Sequence, residues 1–233
     1  MRAPRLLYLA NGPRWQSVAR LDERFASWGL AVDRAWAFDG EFPDALDGYD
    51  GIFLSGSPHG AYEDIAFIRR EHELIRQAGA RGIPMLGICF GSQILASALC
   101  GRDQVFRRTT CEIGYKTLPV EAAAADDALC AELGASVEMF VWHNDEVRAD
   151  HPDMTVLARS DDCPNQIWRF CDRPVWGIQG HPEITADQAR IWFEENRARM
   201  EQDGADVDRL KESADEAIAA KTMLTRFAAL LHG

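Results

Sequence analysis

The sequence predicts an α/β fold in which a mixed, mostly parallel sheet carries helices on both faces. Short apolar runs alternate along the chain with segments whose apolar residues recur at helical spacing. Two of the runs, Gly51–Leu54 and Ile83–Ile88, are apolar almost throughout, which is typical of strands buried on both faces. Alternation of such strands with helices is the pattern of a parallel sheet covered on either side.

The first hundred residues follow this alternation element by element. Glycine and proline mark the turns between elements, for example Gly29, which is expected to end the first helix, and Pro84, which lies at a strand start. The predicted elements are a strand at Arg5–Ala10, a helix carrying Val18, Leu21, Phe25 and Trp28, strands at Leu30–Phe38 and Gly51–Leu54, a helix at about Ile65–Ala80, a strand at Ile83–Ile88 and a helix at Gly91–Leu99.

The rest of the chain is first β-rich and then helical. We interpret the short β runs as an extension of the same sheet with hairpin elements; they are Glu112–Val120, Val137–Trp142, Thr155–Ser160, Gln166–Phe170 and Val175–Gln179. Two helices are expected from about residue 186, at Ala186–Gln202 and Val207–Leu231. The second has an apolar stripe of Val207, Leu210, Ala214, Ile218, Leu224, Phe227 and Leu231. Without a repeat or linker, residues 1–233 are predicted to be one domain.

Composition excludes several classes of protein. The 233 residues include 25 basic and 37 acidic side chains, a net charge of -12, whereas proteins that grip nucleic acid usually carry a basic stripe. No apolar window approaches the ~18 residues that would span a membrane, and no export signal is recognisable. Six irregularly spaced cysteines indicate reduced thiols and a cytoplasmic location. Because cysteines and histidines lack zinc-ligand spacing, we expect neither a metal nor a cofactor.

The pentapeptide Gly87-Ile88-Cys89-Phe90-Gly91 stands where a buried strand is predicted to turn sharply into a helix. A nucleophile at such a turn needs small residues two positions before and after it, and both positions are glycine. The helix that follows directs the positive end of its dipole at the sulfur and favours the thiolate. The alternative is a buried structural cysteine, the usual role of a free cysteine.

Two further segments complete a candidate site. Gly180-His181-Pro182-Glu183 follows the strand predicted at Val175–Gln179 and supplies a base and a carboxylate that could orient it. Ser55-Gly56-Ser57-Pro58 ends the third strand and could turn a backbone N–H toward an oxyanion, although it could equally be a plain turn. Loops at the carboxyl ends of parallel strands share one sheet edge, so the three segments can converge.

These segments, in this order, resemble the class I (triad) glutamine amidotransferases over about residues 5–200. Gly87–Gln93 is similar to the family's G-x-C-x-G-x-Q elbow, residues 180–183 to its G-H-P-E motif, and residues 55–58 to its oxyanion loop. The similarity is closest to the glutaminase domain of GMP synthase and its stand-alone relatives. The resemblance implies a mixed, flavodoxin-like sheet.

The resemblance also implies roles for the candidate residues. Cys89 would attack the γ-carboxamide of glutamine and form a γ-glutamyl thioester. His181 would accept the thiol proton and protonate the departing ammonia, while Glu183 holds the imidazole. Backbone N–H groups of Phe90 and of the Gly56-Ser57 loop would stabilise the oxyanion. Activity is then expected to fall below neutral pH as His181 protonates, unless this histidine is strongly paired with a Cys89 thiolate.

Substrate contacts follow from the resemblance in the same way. Gln93 would contact the α-end of glutamine, and Trp142-His143-Asn144-Asp145 falls where relatives have a His-Gly-Asp loop whose backbone holds that end. Asn144 replaces the glycine. Asparagine adopts left-handed backbone conformations more readily than most residues, so the loop shape could survive; a simple capped turn is the alternative.

The leading hypothesis is therefore an enzyme that hydrolyses glutamine or another γ-glutamyl amide and releases ammonia or an amine. One alternative is a glutaminase subunit that passes ammonia to a separate synthetase chain, since no S-G-G-x-D-S phosphate loop occurs in the sequence. Another is a non-catalytic glutamine-binding module. The terminal helices favour a stand-alone hydrolase. We expect a monomer or a homodimer, and neither nucleic acid nor a membrane as a partner.

Overall fold

The structure, a computed structural model, describes residues 2–14 and 21–233 of the chain. Within these ranges the strands are β1 (Arg5–Leu9), β2 (Ala31–Ala35), β3 (Gly51–Leu54), β4 (Met85–Ile88), β5 (Val105–Pro119), β6 (Ser136–Val147), β7 (Met154–Ala158), β8 (Ile167–Phe170) and β9 (Val175–Ile178). The helices are α1 (Leu21–Ser27), α2 (Ala66–Ala80), α3 (Phe90–Leu99), α4 (Ala186–Glu195), α5 (Arg197–Gln202), α6 (Val207–Glu212) and α7 (Ile218–Leu231).

Seven of these strands form the main sheet, in the order β2-β1-β3-β4-β9-β8-β7. The first five are parallel, and β8 and β7 continue the sheet as antiparallel strands. The parallel strands have the order of flavodoxin-like sheets. The mostly parallel sheet predicted from the sequence is confirmed, and it makes β4 and β9 direct neighbours.

Hydrophobic clusters cover both faces of this sheet because successive strand residues point to opposite sides. From β1, Leu6 and Tyr8 join a cluster with α1 and α7, whereas Leu7 and Leu9 join a second cluster with α2 and α3. Helices therefore pack on both faces, as predicted.

Most strand and helix limits lie close to their predicted positions, with a few differences. The second strand ends at Ala35, and a 3₁₀ turn at Ala37–Asp39 replaces its predicted end. Gly29 has a φ of 86° and follows the first helix, as expected of a residue that ends it. Val18, which the sequence assigns to that helix, lies outside the described residues.

Strands β5 and β6 correct the prediction that all β runs extend one sheet. They pair with each other as a separate antiparallel sheet, with a register shift between Arg107 and Glu112. The alternating pattern of these residues fits either arrangement, since pattern shows which face is buried but not which strand supplies the hydrogen bonds.

The C-terminal region contains four helices where the sequence predicts two. Asn196 separates α4 from α5, and Ala217, at a φ of 44°, precedes α7. Asp206 caps α6 by accepting a hydrogen bond from the Arg209 N–H. Ile218, expected in the apolar stripe, is 74% exposed. In the described ranges, no helix combines the length and apolar character needed to cross a bilayer.

Candidate functional site

Cys89 occupies the predicted sharp turn between β4 and α3, with φ 54° and ψ -112°. The glycines on either side are sterically required. A Cβ at Gly87 would lie 2.3 Å from the backbone of Gly91, and a Cβ at Gly91 would lie 2.1 Å from the carbonyl oxygen of Leu54. The turn is held to the next strand, because the Cys89 N–H donates to the Ile178 carbonyl at 2.8 Å. The predicted position of Cys89 is confirmed.

His181 and Glu183 follow β9 and lie beside this turn because β9 pairs with β4. The Nδ1 atom of His181 is 2.8 Å from Oε1 of Glu183. The same ring lies near Cys89, since both side chains border Gly56 and line one cleft. The backbone N–H of His181 donates to the carbonyl of Phe140 at 2.8 Å, which ties the loop to β6. The structure thus brings the three predicted catalytic residues together at one edge of the sheet.

The protonation of His181 follows from its neighbours. Burial by itself lowers the pKa of His181, but the Glu183 carboxylate and the hydrogen bonds to Cys89 and Glu183 outweigh burial and raise that pKa to about 10. A histidine with a raised pKa keeps its proton at neutral pH. His181 is therefore positively charged in an ion pair with Glu183, and this charge lies near Cys89.

We therefore expect the hydrolysis rate to show no loss as the pH falls from 8 through 6.5, where an isolated histidine titrates. On the alkaline side the rate should fall as the pH rises through about 10, because His181 then has no proton for the leaving amine. A pH profile of kcat on γ-glutamyl-p-nitroanilide tests this expectation. A fall that instead follows an ordinary histidine near pH 6.5 would contradict the ion pair.

The predicted oxyanion loop lies against the same residues. A Cβ placed on Gly56 would be 3.7 Å from Cβ of Cys89 and 3.9 Å from Cε1 of His181, so the loop backbone borders the sulfur. Among the described residues, the N–H groups of Ser57 and Phe90 have no hydrogen-bond acceptor. Both donors are thus available to a bound molecule. Their role as an oxyanion hole stays a prediction.

A buried polar network behind this loop was not found by sequence analysis. The Asn11 N–H donates to Oγ of Ser55 at 2.9 Å, and Nδ2 of Asn11 reaches the Ser55 carbonyl at 3.2 Å and Oε1 of Glu71 at 3.0 Å. Burial raises the pKa of Glu71 to about 8 despite the hydrogen bond from Asn11. In the sequence, this network is indicated only by Asn11, a polar residue that directly follows a buried strand.

Residues 142–145 are not a loop, which corrects the sequence prediction. They lie inside β6, and Asn144 has no positive φ, so the left-handed loop shape expected of it does not occur. Nε1 of Trp142 and Nδ2 of Asn144 both donate to Oδ2 of Asp203, at 2.8 and 3.4 Å. The pairing of β6 with β5 holds this backbone extended on both sides of Asn144, because His143 pairs with Glu112 and Asp145 with Arg107; Asn144 itself lies at the register shift and has no partner in the ladder.

Gln93 and Asp145 connect α3 to β6 at the edge of the cleft. Gln93 is buried, and its Nε2 donates to the Asp145 carbonyl at 3.1 Å and to Oε1 of Gln179 at 3.2 Å. Oδ1 of Asp145 accepts from the Tyr62 hydroxyl at 3.2 Å and lies 3.6 Å from Arg107. The structure brings both residues to the cleft. Their contact with a substrate stays a prediction.

One cluster of residue types that can bind metals lies behind β6. The ligand atoms of Glu112, His143 and Cys163 lie within 4.8 Å of one another and are buried. Glu112 already accepts hydrogen bonds from Ser160 at 2.8 Å and Gln166 at 2.9 Å and lies 2.8 Å from Nε2 of His143. Burial raises the pKa of the Cys163 thiol, which opposes the thiolate that a metal needs. The cluster therefore serves as hydrogen-bonded support for the strand that carries residues 142–145.

The cleft around Cys89 has a volume of about 160 Å³ and brings the candidate residues together. One wall is a helical surface that the sequence analysis did not assign to the site. It runs from the loop after His181 through α4 to α5 and consists of Ile184, Gln188, Trp192, Asn196 and Arg199. Their spacing of three and four residues places them on one face of the helices. This spacing was visible in the sequence but is also that of ordinary core packing.

Comparison with known proteins identifies the family of the chain. The profile "Glutamine amidotransferase class-I" matches residues 16–198. The GMP synthase of Edwardsiella ictaluri is 35% identical over 78% of this chain, which corresponds to 34% of that protein. The chain thus spans about a third of the length of the GMP synthases that it matches.

Two further relatives are closer to this chain in length. Gamma-glutamyl peptidase 3 of Arabidopsis thaliana is 34% identical, with 78% of this chain and 75% of that protein covered. One of the subunits of the glutamine-hydrolysing GMP synthase of Halobacterium salinarum is 33% identical over 67% of this chain and 76% of its own length. A crystal structure of a glutamine amidotransferase from Thermotoga maritima matches over 100% of both chains, with a TM-score of 0.86 and 24% identity, which shows a shared fold.

Proposed function

Because the chain belongs to the class-I glutamine amidotransferase family, we propose that Cys89 hydrolyses the γ-amide bond of glutamine or of another γ-glutamyl amide. The observation that carries the proposal is the placement of Cys89 near His181, which is hydrogen-bonded to Glu183, at the ends of two adjacent parallel strands. A nucleophile, a base and a group that orients the base are what acyl transfer requires.

In the first half of the reaction, the Cys89 thiolate attacks the γ-carbonyl carbon and the carbonyl oxygen becomes an oxyanion. The N–H groups of Ser57 and Phe90 stabilise this oxyanion, since they have no other acceptor in the described part of the chain. The carbon–nitrogen bond then breaks. His181 gives its proton to the leaving nitrogen, and a γ-glutamyl thioester remains on Cys89.

In the second half, water replaces the amine. His181, now neutral, removes a proton from this water, which attacks the thioester carbonyl. Collapse of the second tetrahedral intermediate releases glutamate and returns the thiolate beside a protonated His181. Throughout, Glu183 fixes the orientation of the ring through Nδ1 and stabilises its positive charge.

We favour a protein that acts alone on γ-glutamyl amides. The cleft continues past His181 along the helical wall of Gln188, Trp192, Asn196 and Arg199, which offers contacts to an amine larger than ammonia. The relative of similar length from Arabidopsis thaliana is named a γ-glutamyl peptidase. The alternative, a glutaminase chain that works with a separate synthetase chain, is supported by the similarity to one of the subunits of a GMP synthase.

A substrate panel separates these two functions. The purified protein is incubated with glutamine, γ-glutamylglycine and γ-glutamylethylamide, and the common product, glutamate, is measured by mass spectrometry. A stand-alone hydrolase should turn over the dipeptide or the alkylamide faster than glutamine. The α-linked dipeptide Glu-Gly serves as the matched negative control, since its scissile amide is not at the γ-carbon.

The opposite result identifies the alternative. Turnover of glutamine only, which rises when a fraction of host-cell extract is added, would contradict the stand-alone proposal and favour a synthetase partner. Absence of turnover on every substrate, together with tight binding of glutamine, would contradict hydrolysis itself and favour a glutamine-binding module.

A further inference from the structure

Arg199 lines the cleft and stacks on an aromatic ring. Its guanidinium carbon lies 4.9 Å from the centroid of the Trp142 ring, a stacking distance for a cation over an indole. In residues 2–14 and 21–233, no carboxylate lies within 4.0 Å of its nitrogens and no acceptor receives a hydrogen bond from its side chain. The guanidinium is therefore held by an aromatic face while its N–H donors stay available.

Three acidic residues near Arg199 in the chain are paired with other groups. Asp203, one helical turn beyond Arg199, would be the natural partner at a spacing of four residues. Its Oδ2 instead accepts from Trp142 and Asn144. Glu194 and Asp208 both pair with Arg197. These three carboxylates are therefore not counter-ions of Arg199, and Glu195, four residues before it, also forms no ion pair with it within 4.0 Å.

Arg199 is connected to the catalytic residues through two indole rings. The ring centroid of Trp192 lies 5.3 Å from that of His181 and 5.2 Å from that of Trp142, on which Arg199 stacks. All four residues line the same cleft. A group bound by the guanidinium would therefore belong to the molecule whose amide lies at Cys89.

We propose that Arg199 is a specificity-determining residue that binds a carboxylate of the γ-glutamyl substrate. The planar guanidinium suits this role because two parallel N–H groups can donate to both carboxylate oxygens. The carboxylate is either the α-carboxylate of the γ-glutamyl half or the terminal carboxylate of an amino acid in the amine half. The inference rests on the proposed function.

The test is the kinetics of Arg199→Gln, which keeps an amide donor but removes the charge. On γ-glutamylglycine, which has both carboxylates, we expect KM to rise by about 10- to 100-fold, the range for loss of a charged hydrogen bond, with kcat nearly unchanged. Arg199→Lys should recover part of the loss, because it keeps the charge without the planar fork. Arg209→Gln, an equal loss of charge on α6 outside the cleft lining, is the matched control.

Two analogues identify the source of the carboxylate. γ-Glutamylethylamide lacks the carboxylate of the amine half, and the α-amide of glutamine lacks the α-carboxylate. The α-amide of glutamine also has no carboxylate in its amine half, so the effect of Arg199→Gln should disappear on it in either case. If the effect disappears on γ-glutamylethylamide as well, Arg199 binds the carboxylate of the amine half; if it persists on γ-glutamylethylamide, Arg199 binds the α-carboxylate. An equal effect on all substrates, or the same effect from Arg209→Gln, would overturn the proposal.

Binding measurements keep this inference separate from the proposed catalytic function. Calorimetric titration of γ-glutamylglycine into the Cys89→Ala variant, with and without Arg199→Gln, measures recognition without turnover. Weaker binding in the double variant supports the carboxylate site even if the wild-type protein hydrolyses nothing. Equal binding in both variants, with hydrolysis intact in the wild type, would contradict the carboxylate-binding role of Arg199 but not the proposed hydrolysis.

Discussion

Cys89→Ala is expected to abolish hydrolysis of every γ-glutamyl substrate while leaving the fold intact. Alanine keeps the Cβ that the turn already accommodates between Gly87 and Gly91, so the backbone has no reason to rearrange. The sulfur is the atom that forms the thioester, and no nearby group can replace it. The release of glutamate and the thermal unfolding midpoint, measured on the same preparation, test both parts of this expectation.

Two sets of variants control this result. Cys89→Ser should also be nearly inactive, because a hydroxyl is much less acidic than the thiol for which the histidine is placed. Individual replacement of the other cysteines, Cys100, Cys111, Cys130, Cys163 and Cys171, should leave the chemistry intact. Full activity in Cys89→Ala would refute the assignment of the nucleophile and with it the proposed function.

His181→Ala is expected to lower kcat by about a thousandfold or more. Nucleophile and base act as a unit, so loss of the imidazole removes both the partner of the thiolate and the proton donor for the leaving amine. Single-turnover measurement of thioester formation locates the loss in the first half of the reaction. The structure favours His181 over His143 as the base, because both ring nitrogens of His143 already contact other groups, the Glu112 carboxylate and the Asp145 carbonyl.

Glu183→Gln tests the contribution of the residue that orients His181. Glutamine keeps the shape and one oxygen acceptor for Nδ1 of His181 but removes the charge that helps to raise the pKa of the imidazole. Its loss of rate should be clearly smaller than that of His181→Ala. If activity tolerates loss of His181 and requires His143 or His151 instead, the base has been assigned to the wrong residue.

Much of the main sheet could be predicted because its signals are local. Runs such as Gly51–Leu54 are apolar throughout, which is typical of strands covered on both faces, and β3 has those limits in the structure. The C-terminal helices were predicted less well. Asn196 and the left-handed Ala217 interrupt helical patterns that continue in the sequence, since an apolar stripe shows which face is buried but not where the axis bends.

The sequence by itself determined the sharp turn that holds Cys89, whereas the tertiary structure decided which residues surround it. Cys89 needs glycine at 87 and 91 because neighbouring backbone would lie within 2.3 Å of a Cβ added at either position. Both glycines lie two residues from Cys89, so this steric requirement can be recognised in the sequence. The pairing of β5 with β6 and the interaction of Arg199 with Trp142 join residues far apart in the chain. Other strands could offer the same hydrogen bonds, and other aromatic rings could stack on the same guanidinium. Only the packing of the whole chain selects one arrangement.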